Sequence, residues 1–354
     1  MTIDEKYMAR CLQLALNGKG FTNPNPMVGA VVVHNDKIIG EGYHRQYGKP
    51  HAEVNAINSV KDKSLLKKST IYVSLEPCSH YGKTPPCAKL IIDSQIPRVV
   101  VAILDPYPAV SGKGIKMLKE AGVDVTIGVL EKEAWLLNKE FFTAQTKERP
   151  YIYLKWAQTK DGFIDKTRKN GELPEPTPIS NDFSKILVHK KRAEVSAIMI
   201  GTNTAINDNP SLTTRFWYGS NPVRIVLDRQ GRIPINYKLF DGNVETIVFT
   251  ETERVMPFAK NLSFIRVNFD GKLIENILSI LKGRKINSIL VEGGQKLLQS
   301  FIDKDFWDET YIEVSEVVFG SGVNAPTINK DTFREQKWGD SLHLHLIRDN
   351  YKII

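Results

Sequence analysis

The sequence predicts an α/β protein of two successive units, and three observations carry that expectation. At 354 residues the chain exceeds the usual size of one domain. Over residues 1–150, short β-branched apolar runs alternate with apolar residues at helical spacing, the pattern of a three-layer α/β/α sandwich. The polar run Gln145-Thr-Lys-Glu-Arg-Pro150 then ends a helix, and a new strand, Tyr151–Ala157, begins.

In the first unit the strand-like segments are Met27–Val33, Lys37–Gly42, Thr70–Leu75, Arg98–Ile103 and Val123–Ile127. Helical patterns occupy about 4–17, 51–60, 87–94, 112–121 and 131–146. In the first of these, Tyr7, Met8, Cys11, Leu12 and Ala15 share one face, which places Cys11 in the core. Val54, Ala56, Ile57 and Val60 mark the second, and Pro85-Pro86 opens the third at Cys87. The junction falls within 145–150, giving expected domains of 1–147 and 148–354. Beyond it, Ser196–Ile200 reads as a strand that emerges into Gly201-Thr202-x-Thr204. Ile289–Val291 likewise runs into Gly293-Gly294 and a helix from about 295.

Composition narrows the class. Hydrophobic residues make up 42% and charged residues 25%, an ordinary globular balance. The net charge of +8 is spread over both halves, which argues against a polybasic nucleic-acid surface. No apolar run approaches a membrane span, and the start Met-Thr-Ile-Asp-Glu-Lys lacks the order of a signal peptide. A cytoplasmic location is expected, where thiolates remain available to metal.

Two of the three cysteines stand in the most informative pattern of the chain, His51-Ala52-Glu53 followed by Pro77-Cys78 and Cys87. One imidazole and two thiolates fill three corners of a zinc tetrahedron and leave the fourth open, as catalytic rather than structural zinc sites do. Glu53 is the acid/base such a site needs, and a structural zinc would have no use for it. The ordered combination is the pattern of zinc-dependent deaminases. At a helix start Cys87 also gains from the positive end of the dipole.

With Asn25-Pro26-Met27-Val28-Gly29, Gly42-Tyr43-His44 and Glu76-Pro77-Cys78-Ser79-His80 added, the first half resembles the deaminase half of the bifunctional riboflavin-biosynthesis deaminase/reductase family. The long loop Ser79–Pro86 between the cysteines distinguishes this branch from cytidine and tRNA adenosine deaminases. The second half resembles the family's reductase over most of 151–322. The matching residues are Lys155-x-Ala157-x-x-x-Asp161-Gly162, Gly201-Thr202-x-Thr204, Asp208-Asn209-Pro210, Leu212-Thr213, Arg215 and Val291-Glu292-Gly293-Gly294.

The resemblance implies a cytidine-deaminase-like α/β/α sandwich followed by a dihydrofolate-reductase-like α/β domain. It implies a zinc ion (Zn2+) on His51, Cys78 and Cys87, Glu53 as proton shuttle, and Asn25 and His44 on the pyrimidine. For the reductase it implies that Thr204, Asp208, Gly293 and Gly294 contact NADPH, and that Arg192, Leu212, Arg215 and Glu292 hold the substrate. An arginine fork matches phosphate oxygens. The chain departs from the family where Pro176-Thr177-Pro178-Ile179-Ser180 replaces Ser-x-Trp-Ile-Ser, and where Thr159-Lys160 replaces Ser-Leu, so no cofactor contact is carried over there. The expected partners are small phosphorylated pyrimidines and further copies of the chain in a homo-oligomer, with no nucleic acid and no membrane.

Overall fold

Thr2 starts the first helix by a reciprocal cap: its Oγ1 accepts the Glu5 N–H at 3.2 Å, and the Glu5 carboxylate accepts the Thr2 N–H at 2.7 Å. The computed structural model describes residues 1–80, 85–107, 111–168, 173–253, 260–328 and 333–348. It divides into two compact units, Met1–Glu148 and one that starts at Arg149.

The first unit runs α1 (Ile3–Leu16), β1 (Gly29–His34), β2 (Lys37–Tyr43), α2 (Ala52–Ser59), β3 (Thr70–Val73), α3 (Cys87–Asp93), β4 (Arg98–Val101), α4 (Lys113–Glu120), β5 (Asp124–Ile127), α5 (Glu131–Leu137) and α6 (Lys139–Thr146). Its sheet has the order β2-β1-β3-β4-β5, with β1 antiparallel to both neighbours and β3, β4 and β5 parallel. Alternate strand residues serve the two faces. Val31, Tyr72 and Val100 pack against Tyr7, Met8, Cys11 and Phe142, while Val32, Ile71 and Val99 pack against Ala56, Ile57, Ile91 and Leu118. The expected three layers are present. Gly29 lets α1 close on β1, since a Cβ there would lie 2.0 Å from the Cys11 carbonyl oxygen.

One expected element differs. The helix over 131–146 is two helices, broken at Asn138, whose Oδ1 accepts the Met27 N–H and whose Nδ2 donates to the Met27 carbonyl, both at 2.8 Å. A side chain pairing with a distant peptide competes with the helical ladder at that point.

The second unit runs β6 (Tyr151–Gln158), β7 (Phe163–Asp165), α7 (Asp182–Glu194), β8 (Ala197–Gly201), α8 (Thr202–Asp208), β9 (Val223–Leu227), β10 (Thr246–Thr250), β11 (Leu262–Arg266), α9 (Leu273–Gly283), β12 (Ser288–Gly293), α10 (Gln295–Asp303), β13 (Glu309–Val314), β14 (Val323–Asn324), β15 (Arg334–Trp338) and β16 (Ser341–Ile347). Nine strands form one sheet of order β11-β10-β9-β8-β12-β6-β13-β16-β15, and β14 pairs with β7 apart from it. The sheet is parallel from β11 to β13, and β16 and β15 close it antiparallel. Its central strands are buried on both faces, so they read as unbroken apolar runs. Met199 and Val291 meet Leu281, Leu298 and Phe301 of α9 and α10, while Ile198 and Ile200 meet Ala205, Leu212 and Leu239. Among the described residues no helix is long and apolar enough to cross a membrane.

Candidate functional site

His51, Glu53, Cys78 and Cys87 converge from three places in the first unit. His51 is the residue before α2, Glu53 lies in the first turn of that helix, Cys78 follows β3 in a loop, and Cys87 is the first residue of α3. The donor atoms of His51, Cys78 and Cys87 all lie within 4.8 Å of one another. His51 Nδ1 stands 3.3 Å from Cys87 Sγ and 3.7 Å from Cys78 Sγ. Two thiols and an imidazole at these separations form a donor set that suits zinc.

The charges support the same reading. The Cys78 thiol is pulled down to about 4 by its hydrogen bond from Cys87 and by His51, while the Cys87 thiol is pushed up as the donor of that bond. His51 is raised to about 8 by Cys78. Glu53 is 3% exposed, and burial raises its carboxyl to about 6, within reach of a proton-transfer role near neutral pH.

Asn25 and His44 sit beside this cluster, with the His44 and His51 rings 5.6 Å apart edge to face. His44 Nδ1 lies 3.1 Å from the Pro50 carbonyl, which can only accept, so this nitrogen carries the proton. Nε2 then accepts from Asn25 Nδ2 at 3.3 Å. Burial lowers the His44 pKa and keeps the ring neutral. The pair is preset, with the Asn25 amide oriented by an uncharged histidine.

In the second unit the expected residues gather at the ends of β8 and β12, where open α/β sheets place ligands. Thr204 abuts the glycine turn: a Cβ on Gly293 would lie 2.8 Å from Thr204 Cγ2, and one on Gly294, whose φ is +80°, would lie 3.2 Å from Thr204 Oγ1. Asp208 closes α8 and receives a bond from Arg168 Nη2 at 3.3 Å. Burial, with Asp165 nearby, raises its carboxyl to about 6.

Arg192 and Glu292, both assigned to substrate from the sequence, pair with each other. Arg192 Nε donates to Glu292 Oε1 at 3.0 Å and Nη2 to Oε2 at 2.5 Å, and Nη1 donates to the Thr213 carbonyl at 3.3 Å. The guanidinium is largely buried, so Arg192, although it ends the basic run His189-Lys190-Lys191-Arg192 on α7, does not face solvent. Arg215 is different. It donates to the hydroxyls of Ser211 and Thr213, and no carboxylate pairs with it among the described residues. Leu212 between them is buried at φ +51°, a left-handed conformation that costs a leucine roughly 1–3 kcal/mol and recurs at ligand sites.

Three residues escaped sequence reasoning. His189 Nδ1 accepts the Arg215 N–H at 2.8 Å, which places its proton on Nε2 and ties α7 to the Arg215 loop. Burial, then Arg192 and Arg215, lower its pKa to about 4. Its position three residues before Arg192 was the available signal. Lys155 opens the motif Lys155-x-Ala157-x-x-x-Asp161-Gly162, which by itself gives the lysine no role. It has no hydrogen-bond or ion-pair partner among the described residues, and burial lowers its pKa against the pull of Glu292 and Glu313. Arg168 bridges Asp165 and Asp208, and Thr177 donates to Asp165, so a polar network anchors the loop where the chain departs from its relatives.

Comparison with known proteins accounts for both units. Residues 1–103 match the family model described as the cytidine and deoxycytidylate deaminase zinc-binding region, and residues 150–349 match that of the RibD C-terminal domain, further than the expected 151–322. The chain is 43% identical over 325 residues to the riboflavin biosynthesis protein RibD of Aquifex aeolicus (strain VF5), covering 91% of this chain and 89% of the relative. It is 39% identical to RibD of Bacillus amyloliquefaciens, covering 95% and 90%. A crystal structure of a diaminohydroxyphosphoribosylaminopyrimidine deaminase/5-amino-6-(5-phosphoribosylamino)uracil reductase from Thermotoga maritima superposes with a TM-score of 0.85 at 37% identity, covering 98% of each chain. Acinetobacter baumannii RibD gives 0.87 at 31% identity, again covering 98% of each. The fold is therefore the expected one, cytidine-deaminase-like and then dihydrofolate-reductase-like. The chain belongs to the RibD family of riboflavin-biosynthesis proteins and is a bifunctional enzyme, a deaminase joined to a reductase.

Proposed function

We propose that the first unit hydrolytically deaminates 2,5-diamino-6-(5-phosphoribosylamino)pyrimidin-4-one, and that the second reduces the ribosyl group of the resulting 5-amino-6-(5-phosphoribosylamino)uracil to ribityl. Domains of 1–147 and 148–354 carry the two reactions. The observation that carries the reading is the convergence of His51, Cys78 and Cys87 within 4.8 Å, with the carboxyl of Glu53 buried beside them.

The cofactors are zinc and NADPH. His51 Nδ1, Cys78 Sγ and Cys87 Sγ would hold the zinc, which when bound would activate a water for attack. The Glu53 carboxylate takes a proton at Oε and returns it to the departing nitrogen, so ammonia leaves neutral. The Asn25 amide and the neutral His44 ring hold the pyrimidine in register with Glu53.

In the reductase, the chemistry that NADPH would supply when bound is a hydride for the sugar C1. Thr204, Asp208, Gly293 and Gly294 line the cofactor side, where the glycines let Thr204 close against the turn. Arg215, with the Ser211 and Thr213 hydroxyls, forms a donor set for the substrate phosphate. Leu212 shapes the floor, and the Arg192–Glu292 pair presents a fixed carboxylate to the sugar. Partly buried and without a hydrogen-bond or ion-pair partner among the described residues, Lys155 is free to meet a ligand oxygen.

The test is to incubate the zinc-loaded chain with the phosphoribosylated diaminopyrimidine, with and without NADPH, and identify products by mass spectrometry. Deaminated product alone without NADPH, and ribityl product with it, are expected. Reduction without ammonia release would overturn the order of the two steps.

A further inference from the structure

The run Glu76-Pro77-Cys78 supplies a zinc donor through its last residue, while its first has no place in the chemistry above. Glu76 is 4% exposed. Its Oε2 accepts the N–H groups of Gly112 at 2.9 Å and Asp105 at 3.2 Å, and its Oε1 accepts those of Gly114 at 2.9 Å and Ile115 at 3.4 Å. Three of these donors belong to the start of α4, whose cap residue is Gly112 and so has no side chain to satisfy them. A carboxylate 36 positions upstream in sequence does so instead, at the positive end of the helix.

The helix also touches the next peptide. A Cβ on Gly114 would lie 1.9 Å from the Pro77 carbonyl oxygen, so α4 closes on the run only because glycine stands there. From the other side α3 holds Cys78: the Cys78 carbonyl accepts the Ala88 N–H at 3.1 Å, and its Sγ accepts the Cys87 N–H at 3.3 Å. The segment from Glu76 to Cys78 is therefore fixed between two helix starts.

We propose that Glu76 is a positioning residue for the zinc site, its carboxylate locking the 76–78 segment to α4 so that the Cys78 sulfur stands in place before metal binds. The inference rests on the reading of Cys78 as a zinc ligand. Groups that orient metal ligands from outside the coordination sphere commonly govern affinity by about 10–100-fold. Glutamine keeps the shape of Glu76 but turns an NH2 group toward N–H donors that need an acceptor.

The test uses the full chain as Glu76→Gln, Gly114→Ala, Cys78→Ser and Met8→Ala, the last removing core packing in α1, on the opposite face of the sheet from α4. Zinc dissociation constants come from competition with a chromophoric chelator, thiolate-to-cobalt absorption from the Co(II) form, and melting temperatures from metal-free protein. Glu76→Gln should weaken zinc binding by about 10–100-fold and alter the cobalt spectrum. Gly114→Ala, which pushes on Pro77, should act in the same direction and decides the question if Glu76→Gln does not fold. Met8→Ala should lower the melting temperature with affinity kept within about twofold. Parent-like affinity in the Glu76 or Gly114 variant, or equal weakening in Met8→Ala, overturns the proposal. Parent-like affinity in Cys78→Ser would instead remove the ligand assignment beneath it.

Discussion

The two units build their sites in opposite ways. In the first, the reactive groups face one another: three donor atoms lie within 4.8 Å, Glu53 is buried beside them, and Asn25 and His44 are already hydrogen-bonded. In the second, some groups are committed and others wait. Arg192 and Glu292 satisfy each other, while the Arg215 guanidinium bonds hydroxyls and no carboxylate, and Lys155 has no hydrogen-bond or ion-pair partner, among the described residues. A site that holds a metal must be complete before substrate arrives, because the ligands pay for the ion's desolvation together. A site for a phosphorylated sugar and a dinucleotide can leave cations unpaired, because the ligand's own oxygens complete them.

The largest expected effect breaks the first site without disturbing the second. Glu53→Gln removes the proton carrier and keeps the ligands, so ammonia release should fall by about 10²–10⁴-fold while zinc content by elemental analysis stays at the parent level. Retained deamination would mean that another group moves the proton.

Much of that first site is legible in the sequence because zinc chemistry is carried by residue type: few side chains other than His51, Cys78 and Cys87 could do the work. The Glu76 clamp is not legible, since its partners arrive only when the chain returns at 105–115. The break at Asn138 is hidden for the same reason, as its partner Met27 is 111 residues away and the apolar spacing of 131–146 runs through it unchanged. In the reductase the sequence marks which residues gather but not which of them pair. Arg192 and Glu292 lie 100 residues apart, on α7 and β12, and only the folded chain brings them together.

The next effects sharpen the contrast within the second unit. Lys155→Met removes a partly buried ammonium at little cost to packing, so we expect the reductase kcat/KM to fall by about 10–100-fold, the loss of one charged hydrogen bond, with no drop in melting temperature. A destabilised protein with unchanged kcat/KM would make Lys155 structural. Arg215→Lys keeps the charge and loses the fork. The KM for the phosphorylated uracil should rise by about tenfold with the NADPH Kd unchanged. Weaker NADPH binding at constant KM would move Arg215 to the cofactor side.

The smallest effect concerns His189, held neutral by burial and its arginine neighbours, with its pKa lowered from 6.5 to about 4. Between those values the unfolded chain binds a proton that the folded chain does not, so this group's contribution to stability is lost as pH falls through that window. His189→Asn keeps an acceptor for the Arg215 N–H without a titrating ring. Its denaturation midpoint should therefore vary less between pH 7 and pH 4 than the parent's.

The central claim is that the two chemistries reside in separate sets of residues. It is tested most directly by assaying both half-reactions on both variants, Glu53→Gln and Arg215→Lys, with the diaminopyrimidine for deamination and the purified deaminated uracil plus NADPH for reduction. The account predicts a clean crossing: Glu53→Gln reduces at the parent rate and does not deaminate, and Arg215→Lys deaminates at the parent rate and reduces poorly. A substitution that slows both half-reactions alike would contradict it.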